Sequence, residues 1–345
     1  MAAPPAPGRG GVGWRGEGAR GRGRRRPAAA AWGTMVPMSA DPPIREGFVP
    51  FRGQRTWYRV VGGGEAAGKL PLVLVNGGPG VPHEYFEPLA RWARAGRRIV
   101  FYDQLGSGDS AHPHDPSLWT VALFVAELRA VREALGLAPC HLLGQSWGGL
   151  LALEHALAHP RGIASLTLAD PLVSAPQWEA EADRLRAGLP ADVQAALTRH
   201  EAAGTTDSPE YQEAMMVYYA RHVCRLDPWP ECLLRAYARL GADPEVYTTM
   251  WGPSEFHVTG TLKEWDVRGR LSGIAVPALV LGGRHDECTP AIQEDLHRRL
   301  PGSQWTVFER SAHLPHLEEP ERFREVVEAF LDRVERGERV ERGAA

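Results

Sequence analysis

The sequence has few cysteines, and their spacing suggests neither a metal site nor a disulfide framework. The 345-residue chain contains Cys140, Cys224, Cys232 and Cys288, with no Cys-x-x-Cys pair among them. Structural zinc sites and disulfide-rich domains both depend on closely spaced cysteines. We therefore expect no metal and no disulfide, and a reducing cytoplasm as the location.

Long apolar runs are also absent from the sequence. No segment approaches the roughly 20 apolar residues that a membrane span requires, so we expect no membrane partner. Hydrophobic residues make up 43% of the chain and charged residues 23%, as in ordinary globular proteins. Because a single hydrophobic core stops growing at about 250–300 residues, the length predicts a large domain with an inserted or appended unit.

Acidic residues are nearly missing from the first forty positions. This segment has seven arginines and one acid, Glu17, although the net charge of the whole chain is −3. It is rich in Gly, Arg, Ala and Pro, and buries too little apolar surface to offset the entropy of ordering it. We predict that residues 1–40 form a disordered basic tail. The tail would be a dispensable extension, of the kind that a translation start upstream of Met35 or Met38 produces. A nucleic-acid-binding arm is the alternative, but the body lacks a basic patch with interleaved aromatics, so we expect no nucleic-acid partner.

From about residue 48, short strand patterns alternate with helical patterns of ten to fifteen residues. Such alternation predicts an α/β fold, with a mostly parallel sheet and helices on both faces. The glycines at 62–64 predict a hairpin turn after the first strand. The predicted strands are Thr56–Val61, Leu70–Val75, Arg97–Asp103, Cys140–Leu143, Ser165–Ala169, Ala278–Leu281 and Gln304–Phe308.

The alternation stops in the middle of the chain. Residues 173–265 are helical in pattern, strongly charged and without a convincing strand. We predict that they form a helical cap inserted into the α/β core, of which residues 41–172 and 266–345 are the first and second parts.

The clearest catalytic motif is Gly-x-Ser-x-Gly at residues 144–148. It lies between a predicted strand and a predicted helix, which is the context of a nucleophile elbow. The small residues allow a sharp turn that exposes the Ser146 hydroxyl, and the following helix directs its first amides toward developing negative charge. The motif predicts Ser146 as a nucleophile.

A serine nucleophile needs a base, and the base needs an orienting acid. His313 follows the last predicted strand and Asp286 follows the strand before it. The order Ser146, Asp286, His313 matches the nucleophile, acid, base order of hydrolases built on parallel sheets. His316 is the alternative base and Asp170 the alternative acid.

Acyl transfer also requires donors for the tetrahedral oxyanion. The backbone amide of Trp147 is the first candidate. The second should come from the loop at residues 76–80, Asn-Gly-Gly-Pro-Gly, because glycines allow the backbone to approach a ligand closely. We favour Gly78, with Gly77 as the alternative.

Taken together, the motifs resemble those of the proline iminopeptidase family, which are α/β-hydrolase serine aminopeptidases that include the tricorn-interacting aminopeptidase and amino-acid amidases. The resemblance spans about residues 45–335 and departs from the family at Asn76, where a histidine is usual. It implies the α/β-hydrolase fold with an inserted cap and no cofactor. The matching segments are residues 76–80, 103–108, 144–149, 252–260 and 283–287, with His313.

The resemblance further implies how a substrate is recognised. In this family two glutamates hold the free α-ammonium of the substrate, and the matching positions here are Glu255 and Glu287. Electrostatics supports this role for the glutamates, because an ammonium that enters a water-poor pocket needs compensating negative charge. The family's proline pocket is aromatic, and the candidates for it here are Trp147, Tyr218, Tyr219 and Trp251. For each of them, a packing role is the favoured alternative.

The sequence therefore predicts a serine aminopeptidase that releases an N-terminal residue, proline or another small apolar residue, through an acyl-enzyme. Its substrate would be a small peptide or amino-acyl amide with a free N-terminus. An amino-acid amidase, or an esterase or lactonase that acts on non-peptide acyl groups, is the alternative. A non-catalytic ligand binder is disfavoured, because Ser146, Asp286 and His313 are all present.

Overall fold

The computed structural model describes residues 41–63 and 68–338. Eight strands form one sheet in the order β1-β2-β4-β3-β5-β6-β7-β8. Strands β3 to β8 run parallel to one another, while β1 pairs antiparallel with β2 and β2 pairs antiparallel with β4 at one edge. The predicted α/β class is confirmed. The strands are β1 Ile44–Phe51, β2 Gln54–Val61, β3 Leu72–Val75, β4 Ile99–Tyr102, β5 Cys140–Gln145, β6 Ile163–Ala169, β7 Ala278–Gly283 and β8 Ser303–Phe308.

Helices cover both faces of the sheet, so every residue of β3, β4, β5 and β7 is buried. Three further segments of the described chain are 3₁₀ in character, namely His83–Ala95, Pro116–Leu118 and Arg268–Gly273. The α-helices are α1 Val121–Ala134, α2 Trp147–Ala158, α3 Ala175–Arg186, α4 Ala191–Ala203, α5 Pro209–His222, α6 Glu231–Ala242, α7 Glu245–Met250, α8 Pro290–Arg299, α9 Pro315–Glu318 and α10 Pro320–Glu335.

The predicted hairpin after β2 is wrong, because β2 and β3 are not neighbours in the sheet. The hairpin instead joins β1 to β2, where Arg52 and Gly53 both have positive φ. The sequence pattern did not reveal β1, which is largely exposed and lacks a clear alternation. Gly64 and the predicted tail at residues 1–40 lie outside the described residues.

Helices α3 to α7 follow one another between β6 and the segment Arg268–Gly273, and the described residues form one compact unit. The two ends of this helical segment lie side by side. Ala175 N–H donates to Trp265 O at 2.8 Å and Val267 N–H donates to Val173 O at 3.0 Å. The chain thus leaves and re-enters the α/β core at one point, and the cap boundaries at 173 and 265 stay a prediction.

Within the described residues, no helix has the length and apolar character needed to cross a membrane. All four cysteines are free, and only Cys232 is partly exposed.

A buried ionic cluster attaches α10 to the sheet at the edge opposite the active site. Glu335 accepts hydrogen bonds from Arg97 Nη1 at 2.6 Å and from the N–H of Leu70 at 2.7 Å, and lies 3.2 Å from His141 Nε2. Although burial opposes it, these contacts lower the pKa of Glu335 to about 2. The ionised carboxylate therefore stabilises the folded chain.

We predict that Glu335→Gln lowers the free energy of unfolding by about 2 kcal/mol near neutral pH, as for hydrogen bonds to charged groups. The pKa is lower in the folded chain than its unfolded value of about 4.3, so the contribution is present above that value. It is lost as the pH falls toward 2. Urea unfolding at several pH values measures the difference between the two proteins.

The exposed Glu325 on the same helix provides a matched control, and Glu325→Gln should change the stability by less than about 0.5 kcal/mol. A Glu335→Gln effect as small as the control's, or one that grows toward low pH, would contradict this account.

Candidate active site

Ser146 lies at the turn between β5 and α2 in a strained backbone conformation. Its φ of 55° and ψ of −121° are rare for a residue with a side chain. The turn is held on both sides, because Ser146 N–H donates to Ala169 O at 2.9 Å and Leu172 N–H donates to Ser146 O at 3.1 Å. The geometry is that of the nucleophile elbow expected from the sequence.

The glycines of the motif are required by close backbone contacts. A Cβ at Gly144 would overlap the carbonyl of Gly148, and a Cβ at Gly148 would overlap the carbonyl oxygen of Val75. Strand β5, the elbow and the end of β3 therefore pack too tightly for any side chain at these positions.

His313 and Asp286 meet at the carboxyl edge of the sheet. His313 Nδ1 lies 2.7 Å from Asp286 Oδ1, which also accepts the N–H of Cys288 at 2.8 Å. Ser146 and His313 line one small cavity. The model thus brings together all three residues of the predicted triad.

The two alternative triad residues have other partners. His316 is buried among aromatic rings, with Nε2 3.2 Å from Tyr85 O, and burial lowers its pKa to about 3. Asp170 lies behind Asp286, and one polar atom from each of Asp170, Asp286 and His313 lies within 4.8 Å of the other two.

The imidazole of His313 is surrounded by acidic groups. Burial acts to lower its pKa, but the carboxylates of Asp286, Glu255 and Glu318 outweigh burial and raise the pKa above its usual 6.5. In the free site the ring is therefore more basic than an ordinary histidine.

Two residues that the sequence analysis missed hold the loop around His313. Glu318 Oε2 accepts the N–H groups of Ala312 at 2.9 Å and Leu314 at 3.2 Å, directly before and after the histidine. Gln145 Nε2 donates to His313 O at 3.1 Å. Gln145 is the variable residue in front of the nucleophile, and no pattern in the sequence marks its contact with residue 313.

The two candidates for the second oxyanion donor differ in their hydrogen bonds. Gly77 N–H donates to Tyr85 Oη at 2.8 Å, and that hydroxyl donates to Gln145 Oε1 at 3.1 Å. Gly78 lines the cavity beside Ser146. Within the described chain, its amide and that of Trp147 make no hydrogen bond. The contacts favour the pair Gly78 and Trp147.

Asn76, which departs from the family pattern, is fully buried under this loop. Its side-chain amide donates to Tyr102 O at 3.1 Å, and its backbone oxygen accepts from Gln104 Nε2 at 2.9 Å. Gln104 Oε1 in turn accepts from Trp147 Nε1 at 2.9 Å. An asparagine therefore connects the loop to the end of β4 without a histidine.

Glu255 and Glu287 are both buried beside His313. Glu287 Oε1 lies 3.9 Å from His313 Nε2, and Glu255 lines the cavity with Ser146 and His313. Within the described part of the chain, neither oxygen of Glu287 accepts a hydrogen bond, and no lysine or arginine pairs with either glutamate. Apart from the His313 imidazole, the two acids thus share a water-poor site without a basic partner among these residues.

Burial strongly disfavours the charged forms of these glutamates. It raises the pKa of Glu255, although attraction to His313 and to the Tyr247 hydroxyl opposes the rise. Burial, followed by repulsion from Glu255 and Asp286, raises the pKa of Glu287 well above its usual range. A cation that enters this site would favour ionisation of both.

Aromatic side chains from the helical segment surround the acidic pair. Trp178 on α3, which the sequence analysis missed, packs edge-on against His313 with ring centroids 5.6 Å apart and donates from Nε1 to Glu255 O at 3.0 Å. Tyr219 Oη accepts the N–H of Glu255 at 3.1 Å, and the Tyr218 hydroxyl opposes the rise in the pKa of Glu287. Trp251 packs behind Trp178.

The side chain of the fourth aromatic candidate, Trp147, lies in the core against Phe124, away from the cavity.

The cavity at Ser146 is narrow, at about 20 Å³. A second cavity of about 490 Å³ lies among α5, α6 and α7 and shares Tyr237 and Glu255 with the first. Its lining includes Tyr219, Tyr247 and Met215. A substrate near Glu255 therefore has additional space beside the helical segment, lined in part by tyrosines.

The side chains of His83, Asp103 and Asp109 lie close enough together to hold a metal ion, but their contacts have a structural explanation. Asp103 accepts the backbone N–H groups of His83 at 2.8 Å and of Asp109 at 2.9 Å, and the His83 ring stacks on Trp57. These hydrogen bonds account for the cluster as a structural connection below the oxyanion loop.

Comparison with known proteins gives a consistent result. The family profile of the α/β hydrolase fold matches residues 71–320. Proline iminopeptidases from Clostridium botulinum and Levilactobacillus brevis are 42% and 43% identical to this chain. The alignments cover 84% and 80% of the chain, and 99% and 93% of the relatives.

Solved structures agree with the sequence relatives. VinJ is 47% identical with a TM-score of 0.81, and the proline iminopeptidase of Mycobacterium smegmatis is 42% identical with a TM-score of 0.79. Each match covers 85% of this chain and 99% of the other. The resemblance found in the sequence motifs is confirmed: the chain belongs to the α/β-hydrolase family and, within it, to the proline iminopeptidases.

Proposed function

We propose that this protein is a serine aminopeptidase that releases an N-terminal proline from peptides or prolyl amides. The observation that carries the proposal is the buried pair Glu255 and Glu287, which has no lysine or arginine partner among the described residues and lies beside the proposed base, His313. The names of the relatives support the same activity. The protonated imino group of an N-terminal proline has two N–H donors, which two carboxylates can accept.

In the proposed mechanism, Ser146 Oγ attacks the carbonyl carbon of the N-terminal residue while His313 Nε2 takes the hydroxyl proton. Asp286 Oδ1 holds the opposite side of the imidazole at Nδ1. The amides of Gly78 and Trp147 stabilise the oxyanion. His313 then gives the proton to the departing amine, and a water molecule, activated by the same base, releases proline from Ser146.

The glutamates also explain why the enzyme would cleave the bond that follows the first residue of a substrate. Each is at most 8% exposed, so binding of an ammonium replaces a costly pair of buried acids by a compensated group. An acylated N-terminus brings no charge and leaves the carboxylates unpaired. For an esterase or lactonase with uncharged substrates, the same pair would only be a cost. We therefore favour the peptidase, and keep a cytoplasmic location and the absence of a nucleic-acid partner as predictions.

We predict that Ser146→Ala lowers turnover of a prolyl arylamide by about 10⁶, because the residues of a triad act as a unit. Release of the arylamine measures the rate. Ser165→Ala removes another buried serine hydroxyl, which contacts His141 far from the cavity, and should keep its activity. A loss of only a few-fold in Ser146→Ala would end the covalent mechanism.

We predict that kcat/KM for a prolyl arylamide falls on the acidic side through a pKa above 6.5. The base must be neutral, and its pKa is raised by Asp286 and Glu255, which overcome the effect of burial. Glu255→Gln removes one of these negative charges, so the acidic limb should move to lower pH. Initial rates over a pH series measure the acidic limb of the wild type and that of Glu255→Gln. An acidic limb at or below 6.5 that Glu255→Gln leaves in place would contradict the role of His313.

We predict that Glu287→Gln lowers kcat/KM for the free prolyl arylamide by about 10² or more, as for loss of one partner of a buried charge pair. We expect the wild type to act weakly on N-acetylprolyl arylamide, and this activity should change much less, so the preference for a free N-terminus shrinks. Glu264→Gln, at an exposed acid, is the control. Equal losses on both substrates would refute ammonium recognition by Glu287.

A further inference from the structure

Asp170 is a fully buried acid that the mechanism above does not use. It follows β6, directly beside Asp286, which follows the neighbouring strand β7. One carboxyl oxygen of each acid and one nitrogen of His313 lie within 4.8 Å of one another. Two carboxyl groups at this separation in a dry site cannot both be ionised without a large cost.

The hydrogen bonds of the two acids leave one oxygen unpaired on each. Asp170 Oδ1 accepts the N–H of Gly283 at 3.3 Å, and Asp286 Oδ1 accepts from His313 and from the N–H of Cys288. Asp170 Oδ2 and Asp286 Oδ2 are buried and accept no hydrogen bond from any described residue. Since unpaired buried carboxyl oxygens are costly, one proton shared between these two oxygens satisfies both.

The backbone holds Asp170 in place for such a contact. Its φ is 51°, which is unusual for a residue other than glycine, and its N–H donates to Leu281 O at 2.8 Å. At Gly282, a Cβ would lie 3.1 Å from Asp170 Oδ1. A strained backbone of this kind persists only where surrounding contacts hold the conformation in place. Here the conformation directs the carboxyl group of Asp170 toward Asp286.

The groups that face Asp170 favour its neutral form. Burial, then the charge of Asp286 and that of Glu318, raises the pKa of Asp170 well above its usual range, with only the N–H of Gly283 opposing them. Cys288, whose pKa is also raised by burial and by the acids around it, brings no positive charge.

We propose that Asp170 is a positioning residue for the proposed triad: as a neutral carboxylic acid it donates a hydrogen bond to Asp286 Oδ2 and thereby keeps Asp286 Oδ1 aimed at His313. This inference rests on the proposed function. The sequence analysis treated Asp170 as a rival of Asp286, whereas the geometry makes the two acids partners. A neutral acid behind Asp286 supports its charge without adding a second negative charge near the histidine.

The test compares Asp170→Asn with Asp170→Ala in the full chain. Asparagine keeps a donor toward Asp286 and an acceptor for Gly283, so we expect kcat to fall by about threefold or less, with the acidic limb of the pH profile unchanged. Alanine removes both, and we expect kcat to fall roughly 10- to 100-fold, as for other groups that orient a site residue by a hydrogen bond. KM should change little in either variant.

Further variants exclude a general folding effect. Glu127 is another fully buried acid, held by the N–H of Leu105 and away from Asp286 and His313, and Glu127→Gln controls for the loss of a buried carboxyl group. Thermal unfolding of every variant separates instability from a change in kcat. If Ser146→Ala and Asp286→Asn stay active, the proposed function fails. If they are inactive while Asp170→Ala keeps full activity, only the role of Asp170 fails.

Two other results would overturn the inference. A shift of the acidic limb to lower pH in Asp170→Asn would mean that the wild-type residue carries a negative charge that raises the pKa of His313. A loss of about 10⁴ in Asp170→Asn, equal to that of Asp286→Asn, would make Asp170 the acid that orients the histidine.

Discussion

Two buried glutamates without a lysine or arginine partner in the described chain, Glu255 and Glu287, are the constraint on which this site depends. Their cost is set by desolvation and mutual repulsion, and no lysine or arginine of the described residues offsets it. A free terminal amine of a substrate would offset this cost. Binding energy from the amine is therefore available only to substrates that carry it, and only when the first carbonyl lies at Ser146. In this account, the choice of substrate and the position of cleavage follow from one electrostatic imbalance.

The rest of the fold supplies rigidity around that imbalance. The elbow is fixed by glycines that no side chain could replace, and the loop of His313 is held by Glu318 and Gln145. The helical segment contributes Trp178, which contacts the imidazole and the backbone of Glu255 together. The sheet and the helical segment thus meet at His313, so a displaced helical segment would disturb the proposed base as well as the proposed binding site.

Sequence reasoning predicted the parts of this site that depend on local order along the chain. The alternation of strands and helices predicted the parallel sheet. Residues that directly follow its strands, such as Ser146 and Asp286, lie at the same edge. Glu255 came only from the resemblance to a family, since nothing in its neighbourhood marks it as buried. Trp178 could not be predicted, because its hydrogen-bond partner Glu255 lies 77 residues away in the chain. Strand β1 escaped because an exposed edge strand has no apolar alternation to detect.

The most direct test of the account is a crystal structure of the Ser146→Ala protein with a prolyl dipeptide bound. We expect the imino nitrogen of the ligand within about 3 Å of carboxylate oxygens of both Glu255 and Glu287, at charge-assisted hydrogen-bond distance, with the first carbonyl oxygen near the amides of Gly78 and Trp147. A ligand whose amine points into solvent, or lies apart from both glutamates, would contradict the central claim.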